Sequence, residues 1–230
     1  MTLPCQTLLD EAGLNLQAVF DLSGLPPAVR ATLAPEGADP AYRQAILLGH
    51  GGRRLWEAVK AAGLSGADPI DCYSEAVARQ WFAQACPGHR LAVLYPGNRP
   101  VGLQALGTLA GWHHPSPFMV GINGRWGSWF AYRVLLLADT ELPTTLPTGS
   151  VSPCRSCGEQ PCIGRCPADA LADGAFHLDR CVAYRKRADS RCRLTCLARL
   201  ACPVAAEHRY EPDQLRHTYA ISLATIEQGY

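Results

Sequence analysis

The strongest constraint in this sequence is a dense group of cysteines in its last third. Eight of the eleven cysteines lie between Cys154 and Cys202, and the other three are scattered over the first 150 residues. The eight form two sets, C-x2-C-x4-C-x3-C-P and C-x10-C-x3-C-x5-C-P, each ending in Cys-Pro. A secreted disulfide scaffold would be shorter and would follow an export signal, which the pattern MTLPCQTLLDEAGLNL does not suggest. Closely spaced thiols in a reducing compartment instead predict metal binding.

The spacing favours iron–sulfur clusters among the possible metals. Zinc is usually held by separated C-x2-C pairs, with no use for a proline behind the last ligand. Runs ending in Cys-Pro are typical of bacterial ferredoxins, in which the fourth cysteine of each run binds the other cluster. That wiring predicts two 4Fe–4S clusters, the first held by Cys154, Cys157, Cys162 and Cys202, the second by Cys166, Cys181, Cys192 and Cys196. One cluster with spare thiols, or zinc, remains an alternative.

Composition points to an ordinary folded protein. The 230 residues carry a net charge of +1, and 48% of them are hydrophobic, which is enough for a core. A balanced charge predicts neither a nucleic acid nor a membrane surface as the main partner. The longest apolar runs, such as residues 134–138, are far too short to span a bilayer. We therefore expect a soluble, cytoplasmic protein.

Hydrophobic periodicity predicts an alternation of helices and strands before the cysteines. Helices are predicted at residues 5–20, 51–63, 70–85 and 101–111, and strands at 45–50, 89–97, 118–124 and 129–138. The segment LPTTLPTGSVSP has three prolines and predicts a linker. The pattern is that of an α/β or α+β domain over residues 1–148, followed by an iron–sulfur domain over 149–230 with a C-terminal helical tail.

Three segments resemble the CblC family of cobalamin-processing proteins. They are ADPIDCYSEAVARQ, YPGNRPVGLQALGTLAGW and GINGRWGSWFAYRVLLLADTELPTTLP. The resemblance covers about residues 15–150 and is strongest over 67–143. The layout is also similar to that of epoxyqueuosine reductases, through Ala110-Gly111-Trp112, Trp126-Gly127-Ser128-Trp129 and the cysteine region that follows.

The resemblance implies a fold, a ligand and a set of contacts. The implied fold is α+β: a nitroreductase-like, CblC-type domain followed by a small ferredoxin-like domain with two clusters. The implied ligand is cobalamin held without its dimethylbenzimidazole on cobalt. The residues implied to contact it are Arg133, Trp129, Trp126, Tyr132, Asn123 and Arg99.

Three of these residues, and two aspartates of the first CblC-like segment, also have a purely structural interpretation. Arg133 could pair with a carboxylate, Trp126 and Trp129 could pack in a core, and Asp68 and Asp71 could cap a helix. Asn123 stands where relatives usually have histidine. Residues 95–99 contain no carboxylate to match the proton donor of epoxyqueuosine reductases, so the sequence identifies no catalytic residue.

The resemblance implies an oxidoreductase that removes the upper ligand of cobalamin, cyanide or an alkyl group, to give cob(II)alamin. The family gives no template for electron delivery. The basic run RKRADSRCR at residues 185–193 usually indicates a solvated face, but beside clusters it could dock an acidic electron donor, a flavodoxin, a ferredoxin or a flavin reductase. Two alternatives stay open. One is a cobalamin-dependent reductase like epoxyqueuosine reductase, and the other is a plain ferredoxin-type electron carrier.

Overall fold

The computed structural model describes residues 2–33, 41–66, 68–146 and 149–229. The chain divides into two compact units, here named the N-terminal unit (residues 1–113 and 130–149) and the C-terminal unit (residues 114–129 and 150–230). The segment 114–129 therefore packs with the cysteine-rich part of the chain. The predicted division between residues 148 and 149 stays a prediction.

Four strands form the sheet in the described part of the N-terminal unit: β1 (Leu16–Asp21), β2 (Gln44–Gly51), β3 (Leu91–Tyr95) and β4 (Phe130–Ala138). Their order is β1-β2-β4-β3, and all neighbours are antiparallel. Strand β2 is buried along its whole length. Because both faces of the sheet are covered, β2 and β4 are nearly continuous apolar runs in the sequence instead of alternating ones.

Helices cover both faces of this sheet. The described helices of the N-terminal unit are α1 (Gln6–Glu11), α2 (Pro27–Leu33), α3 (Arg54–Ala61), α4 (Pro69–Ala85) and α5 (Leu103–Leu109). On one face, Trp81 of α4 packs in a cluster with Leu48 and Leu136. On the other face, Leu106 of α5 packs with Leu47 and Leu135. Neighbouring strand residues point to opposite faces, so each central strand contributes to both cores.

The predicted helix over residues 5–20 is wrong. Helix α1 ends at Glu11, and β1 begins at Leu16. Gly13 adopts a φ of 86°, and a side chain there would collide with the backbone of Leu55. The chain can turn sharply at this position because glycine tolerates the left-handed region. Asn15 then fixes the start of the strand, since its side-chain amide exchanges two hydrogen bonds with the backbone of Gly51.

The predicted strand over residues 118–124 is also wrong. This stretch makes only two isolated bridges, His114 with Ile122 and Asn123 with Gly127, and Met119 adopts a φ of 69°. Regular strands need extended backbone at every residue. The predicted strands at 45–50, 89–97 and 129–138 and the predicted helices at 51–63, 70–85 and 101–111 are confirmed, with ends shifted by a few residues.

In its described residues, the C-terminal unit consists of turns, short helices and one helix of 18 residues. Its described helices are α6 (Pro161–Gly164), α7 (Leu178–Lys186), α8 (Leu197–Ala201) and α9 (Pro212–Gly229). These elements do not by themselves show a ferredoxin-like domain, and that part of the predicted fold stays a proposal. No helix in the described ranges is both long and apolar enough to cross a membrane.

Gly107 of α5 offers a direct test of the packing against β4. A side chain at this position would collide with the phenol ring of Tyr132. We expect Gly107→Ala to destabilise the protein by about 1–3 kcal/mol, the range for overpacking. This loss opposes the gain of up to about 1 kcal/mol from alanine's better helix propensity. The free energy of unfolding in urea measures the change.

Gly24 provides the matched control, because a side chain there would meet no atom within 4 Å. Gly24→Ala should change the free energy of unfolding by no more than about 0.5 kcal/mol. Equal effects of the two substitutions would contradict the packing described for Gly107.

Candidate metal-cluster and ligand sites

The first group of thiols comprises Cys154, Cys157, Cys162 and Cys202. The short helix α6 carries Cys162, and the next residue after α8 is Cys202; these two helices pack against each other. Burial raises the pKa of Cys162, and the neighbouring thiols of Cys202, Cys154 and Cys157 raise it further. Four sulfur atoms therefore lie close enough to repel each other once they are ionised.

The second group of thiols comprises Cys166, Cys181, Cys192 and Cys196. Helix α7 carries Cys181, and Cys196 is the N-cap residue of α8. Burial raises the pKa of Cys181 to about 11, and the thiols of Cys196, Cys166 and Cys192 also raise it, whereas Arg185 lowers it. In both groups, the thiols that raise each pKa belong to the same group.

These two groups have the membership that the sequence pattern predicts. Their donor chemistry fits an iron–sulfur cluster, because cluster iron is held by cysteine thiolates. Within the described ranges, no three His, Cys, Asp or Glu side chains are arranged to hold a metal ion. The clusters and their ligands stay a prediction.

A cavity of about 290 Å³ lies beside the second group. All four of its thiols line the cavity, and most of the remaining wall is apolar, including Phe118, Leu171 and Val182. An apolar wall keeps water away from a bound cluster, which is one of the factors that set a cluster's reduction potential.

Trp129 is fully buried within the C-terminal unit. Its ring centroid lies 5.5 Å from that of Tyr210, and the Arg199 guanidinium lies 4.4 Å from its centroid. The Nη2 group of Arg199 also donates a hydrogen bond to the Ser128 carbonyl. These neighbours enclose the ring, while the buried indole Nε1 has no hydrogen-bond partner among the described residues. The predicted contact with a corrin stays a prediction.

Asn123 and Trp126 belong to one turn. The Oδ1 atom of Asn123 accepts hydrogen bonds from the backbone N–H groups of Arg125 and Trp126, at 3.1 and 2.8 Å. The Trp126 ring lies against His208, with centroids 4.5 Å apart. Gly127 comes too close to the Val204 carbonyl to carry a side chain. Asn123 therefore has a structural task in this turn, and its predicted corrin contact is untested.

Arg133 lies at a β-bulge in the N-terminal unit. Leu48 pairs with Val134 and Gly49 pairs with Tyr132, which leaves Arg133 as the extra residue of β4. Bulges are common beside functional sites because they re-aim a side chain. Arg133 donates from Nε to the Nδ1 atom of His50 at 3.0 Å. Its side chain is only 13% exposed.

An acid–base cluster surrounds this arginine. Nη1 of Arg133 lies 3.5 Å from Oδ1 of Asp71. Burial raises the pKa of Asp71, although the positive charge of Arg133 opposes the shift. Burial and the Asp71 carboxylate also raise the pKa of Tyr95. Asp68 occupies the N-cap position of α4 without a capping hydrogen bond from its side chain, and Asp71 lies in the first turn of the helix.

Tyr132 and Arg99 complete the predicted contacts. The Tyr132 hydroxyl lies 3.0 Å from Nδ1 of His113, and burial raises its pKa far above the ordinary value. Arg99 is exposed in the loop after β3. Arg133 and Tyr132 thus lie on one strand of the N-terminal unit, whereas Asn123, Trp126 and Trp129 belong to the C-terminal unit.

Three groups that the sequence reasoning missed are His50, Arg185 and Arg199. His50 is the partner of Arg133, and both Arg185 and Arg199 are buried beside the second thiol group. A signal for the arginines exists in the helix spacing. Arg185 follows Cys181 by four residues, and Arg199 follows Cys196 by three, so each shares a helix face with a predicted ligand.

Comparisons with known proteins give likenesses of structure alone. No protein family and no curated protein matched the sequence. Epoxyqueuosine reductase from Bacillus subtilis has a TM-score of 0.55 at 12% identity, covering 90% of this chain and 67% of that chain. A catabolic reductive dehalogenase has a TM-score of 0.53 at 13% identity, and the match covers 94% of this chain and 33% of the dehalogenase chain. The B12-trafficking protein CblC from C. elegans has a TM-score of 0.49 at 12% identity, covering 98% and 96%.

At these identities the comparisons show the fold. The chain spans about a third of the dehalogenase chain. It has a mixed fold of helices and an antiparallel four-stranded sheet in its described residues, similar to that of epoxyqueuosine reductase.

Proposed function

We propose that this chain is an iron–sulfur cobalamin reductase, which binds cobalamin base-off and removes its upper ligand by reduction. The observation that carries the proposal is the separation of eight thiols into two groups of four within one chain. The fold shared with epoxyqueuosine reductase and a reductive dehalogenase supports the broader assignment to reductases. The three CblC-like segments support cobalamin as the ligand.

The two thiol groups would hold the two 4Fe–4S clusters. When bound, the clusters supply electrons one at a time. The protein's task is to deprotonate the eight thiols on binding, to exclude water and to set the local charge. Because metal-bound cysteines are thiolates, cluster binding would release protons, and assembly should be favoured by higher pH.

The proposed reaction on cyanocobalamin balances with one electron. Cob(III)alamin gains the electron, the cobalt–carbon bond breaks, and cyanide leaves with the bonding pair to give cob(II)alamin. Removal of an alkyl group requires a proton in addition, because the alkyl group leaves as an alkane. Without the lower nitrogen ligand, cobalt is easier to reduce, since axial ligands tune a metal's potential. A flavodoxin, a ferredoxin or a flavin reductase would supply the electrons.

Arg133 is the proposed binding residue with the best-defined geometry. His50 and Asp71 hold its guanidinium in one orientation. A fixed guanidinium suits an amide oxygen or the tail phosphate of cobalamin, because charge-assisted hydrogen bonds are strong and directional. Tyr132 and Arg99 of the same unit are further proposed contacts. The corrin contacts expected of Asn123, Trp126 and Trp129 stay a prediction.

A second candidate is a reductase that keeps cobalamin as a working cofactor for an organic substrate. The fold shared with epoxyqueuosine reductase favours it. Such a reaction needs a proton donor, and burial shifts the pKa of Asp71 upward, the direction that favours this role. One epoxyqueuosine reductase has been solved with a modified tRNA stem loop. The absence of a nucleic-acid partner therefore stays a prediction.

Anaerobic reconstitution followed by a cobalamin titration tests the proposal. We expect about eight irons and eight sulfides per chain, and absorbance changes that report base-off cobalamin. One or two zinc ions without visible absorbance would contradict the clusters. If the clusters assemble but cobalamin does not bind, the remaining alternative is a plain ferredoxin-type electron carrier. Cobalamin that stays bound and unconsumed through repeated turnover of another substrate would favour the second candidate.

A further inference from the structure

Two arginines of the C-terminal unit are buried and form no ion pair with Asp or Glu among the residues that the structure describes. Arg185 is 7% exposed and Arg199 is 5% exposed. Arginine keeps its proton in proteins, so both side chains carry a full positive charge. Burying a charge is costly unless an opposite charge compensates it. These two residues therefore call for a negative partner.

Arg185 satisfies its hydrogen bonds with neutral acceptors. Its Nε donates to the Cys192 carbonyl at 3.2 Å, and its Nη1 donates to the Ser222 hydroxyl at 3.0 Å. Its Nη2 donates to the carbonyls of Arg193 and Tyr219 at 3.3 and 3.1 Å. These contacts fix the guanidinium in place, but they bring no negative charge.

Arg199 is held in a similar way. Its Nε lies 3.3 Å from the Ser128 hydroxyl, and its guanidinium lies 4.4 and 5.0 Å from the ring centroids of Trp129 and Tyr210. Over the part of the chain that the structure describes, neither Arg199 nor Arg185 forms an ion pair with Asp or Glu. The exposed Arg187, in contrast, pairs with Asp189 at 2.8 Å.

Both buried arginines lie beside the second thiol group. Arg185 comes one turn after Cys181 on α7 and bonds the carbonyl of Cys192. Arg199 comes one turn after Cys196, and its backbone N–H donates to the Cys196 sulfur at 3.5 Å. Beside the first thiol group, Arg209 is half-buried, and its Nη2 donates to the Cys202 carbonyl at 3.2 Å.

We propose that Arg185 and Arg199 are the counter-charges of the cluster held by Cys166, Cys181, Cys192 and Cys196, and that they raise its reduction potential. This inference rests on the clusters of the proposed function. With its four thiolates, a 4Fe–4S cluster carries two negative charges when oxidised and three after it takes one electron from a donor. Reduction adds a negative charge to the cluster. An apolar wall alone would make this less favourable, whereas two fixed positive charges nearby make it more favourable.

The arrangement gives the two arginines a positioning role in electron transfer. They are charged in every redox state, and their neutral hydrogen bonds stop them from moving away when the cluster is reduced. Pre-oriented charges of this kind stabilise a charge change without reorganisation of the surroundings. The cluster of the second group should therefore be easier to reduce than the same cluster in the same cavity without them.

Redox titration of the reconstituted full chain, followed by electron paramagnetic resonance, measures this effect. In Arg185→Met and Arg199→Met, the ratio of reduced to oxidised cluster at a fixed potential should fall about tenfold for one of the two clusters, which is about 59 mV for one electron. The other cluster should be unchanged. Arg185→Lys and Arg199→Lys keep the charge but lose the planar hydrogen bonds, and they should stay near the wild-type potential.

Arg187→Met is the matched control, because it removes an exposed arginine of the same chain segment that Asp189 already neutralises. Its potentials should equal those of the wild type. Loss of about four irons in the methionine variants but not in the lysine variants would also support the counter-charge role.

Unchanged potentials in methionine variants with full iron would overturn the inference and leave the proposed function standing. Equal shifts, or equal loss of iron, in the methionine and lysine variants would also overturn it, because packing and not charge would then be responsible. A wild-type protein that assembles no cluster would overturn the inference together with the proposed function.

Discussion

A chain carrying Cys157→Ala is expected to lose about four of eight irons and its ability to reduce cyanocobalamin. Cys157 belongs to the first thiol group, in which it raises the pKa of Cys154 and Cys202. Altering even an outer partner of a metal ligand typically costs 10–100-fold in affinity or activity, so loss of a ligand should exceed about 100-fold. The same result is expected for Cys196→Ala in the second group.

The measurement uses protein that was reduced with limiting reductant and then freed from it. Mixing with cyanocobalamin under anaerobic conditions should give cob(II)alamin, and absorbance spectra follow its formation. Cys72→Ala is the matched control, because Cys72 is an exposed cysteine on α4, in the other unit. It should keep full iron content and the wild-type rate.

A point variant is a better test than removal of residues 151–230. That deletion would cut the C-terminal unit in two, because residues 114–129 belong to it. Trp129 would then lose Tyr210 and Arg199, its buried partners. Undiminished reduction by Cys157→Ala would show that the clusters are not the electron source. No spectral change even with the wild type would leave only the electron-carrier alternative.

Long buried segments were the part of the fold that the sequence could predict. Residues 134–138 are apolar without interruption, as expected for a strand with both faces covered. Helix α4 begins at Pro69, a residue well suited to the first helical turn because its φ is preset and its missing N–H is not needed there. In such segments the local preference and the tertiary environment agree.

The N-terminal segment was misjudged because its apolar residues fit two periodicities. Leu9 and Leu16 are seven residues apart and would share a helix face, yet Leu9 lies in α1 and Leu16 begins β1, on either side of a turn. The deciding contact is between Gly13 and the backbone of Leu55, which is 42 residues further along the chain. A local window does not contain that contact, and tertiary contacts routinely override propensity.

The same reason explains which site residues could be predicted. Cysteines at short spacings can be assigned to metal binding from the sequence alone, because few other functions require that pattern. Arg133 and His50 are 83 residues apart and meet through strand register and a bulge. The burial of Arg185 was hidden by its position in a run of basic residues, RKRADSRCR, which reads as a solvated surface.

Arg133→Met should weaken cobalamin binding by about 1.5–3 kcal/mol, or about 10–150-fold in Kd, if Arg133 donates a charge-assisted hydrogen bond to the ligand. Its guanidinium is preorganised by His50 and Asp71, so little rotamer entropy is lost on binding. The Kd of Arg133→Lys should lie between that of the wild type and that of Arg133→Met, because lysine keeps the charge but not the planar guanidinium. Absorbance titration measures Kd, and iron content should stay at the wild-type value.

Weaker binding by Arg133→Met could also result from unfolding, but the neighbouring Asp71 makes unfolding less of a concern. Asp71 has a raised pKa, so without Arg133 its carboxyl can take up a proton instead of remaining a half-buried charge. Arg90→Met is the control, because Arg90 is an exposed arginine that pairs with Asp139 at 3.1 Å; it should bind cobalamin like the wild type. If Arg133→Met also binds like the wild type, and unfolds at the same temperature, the guanidinium serves only to balance Asp71, and the ligand lies elsewhere.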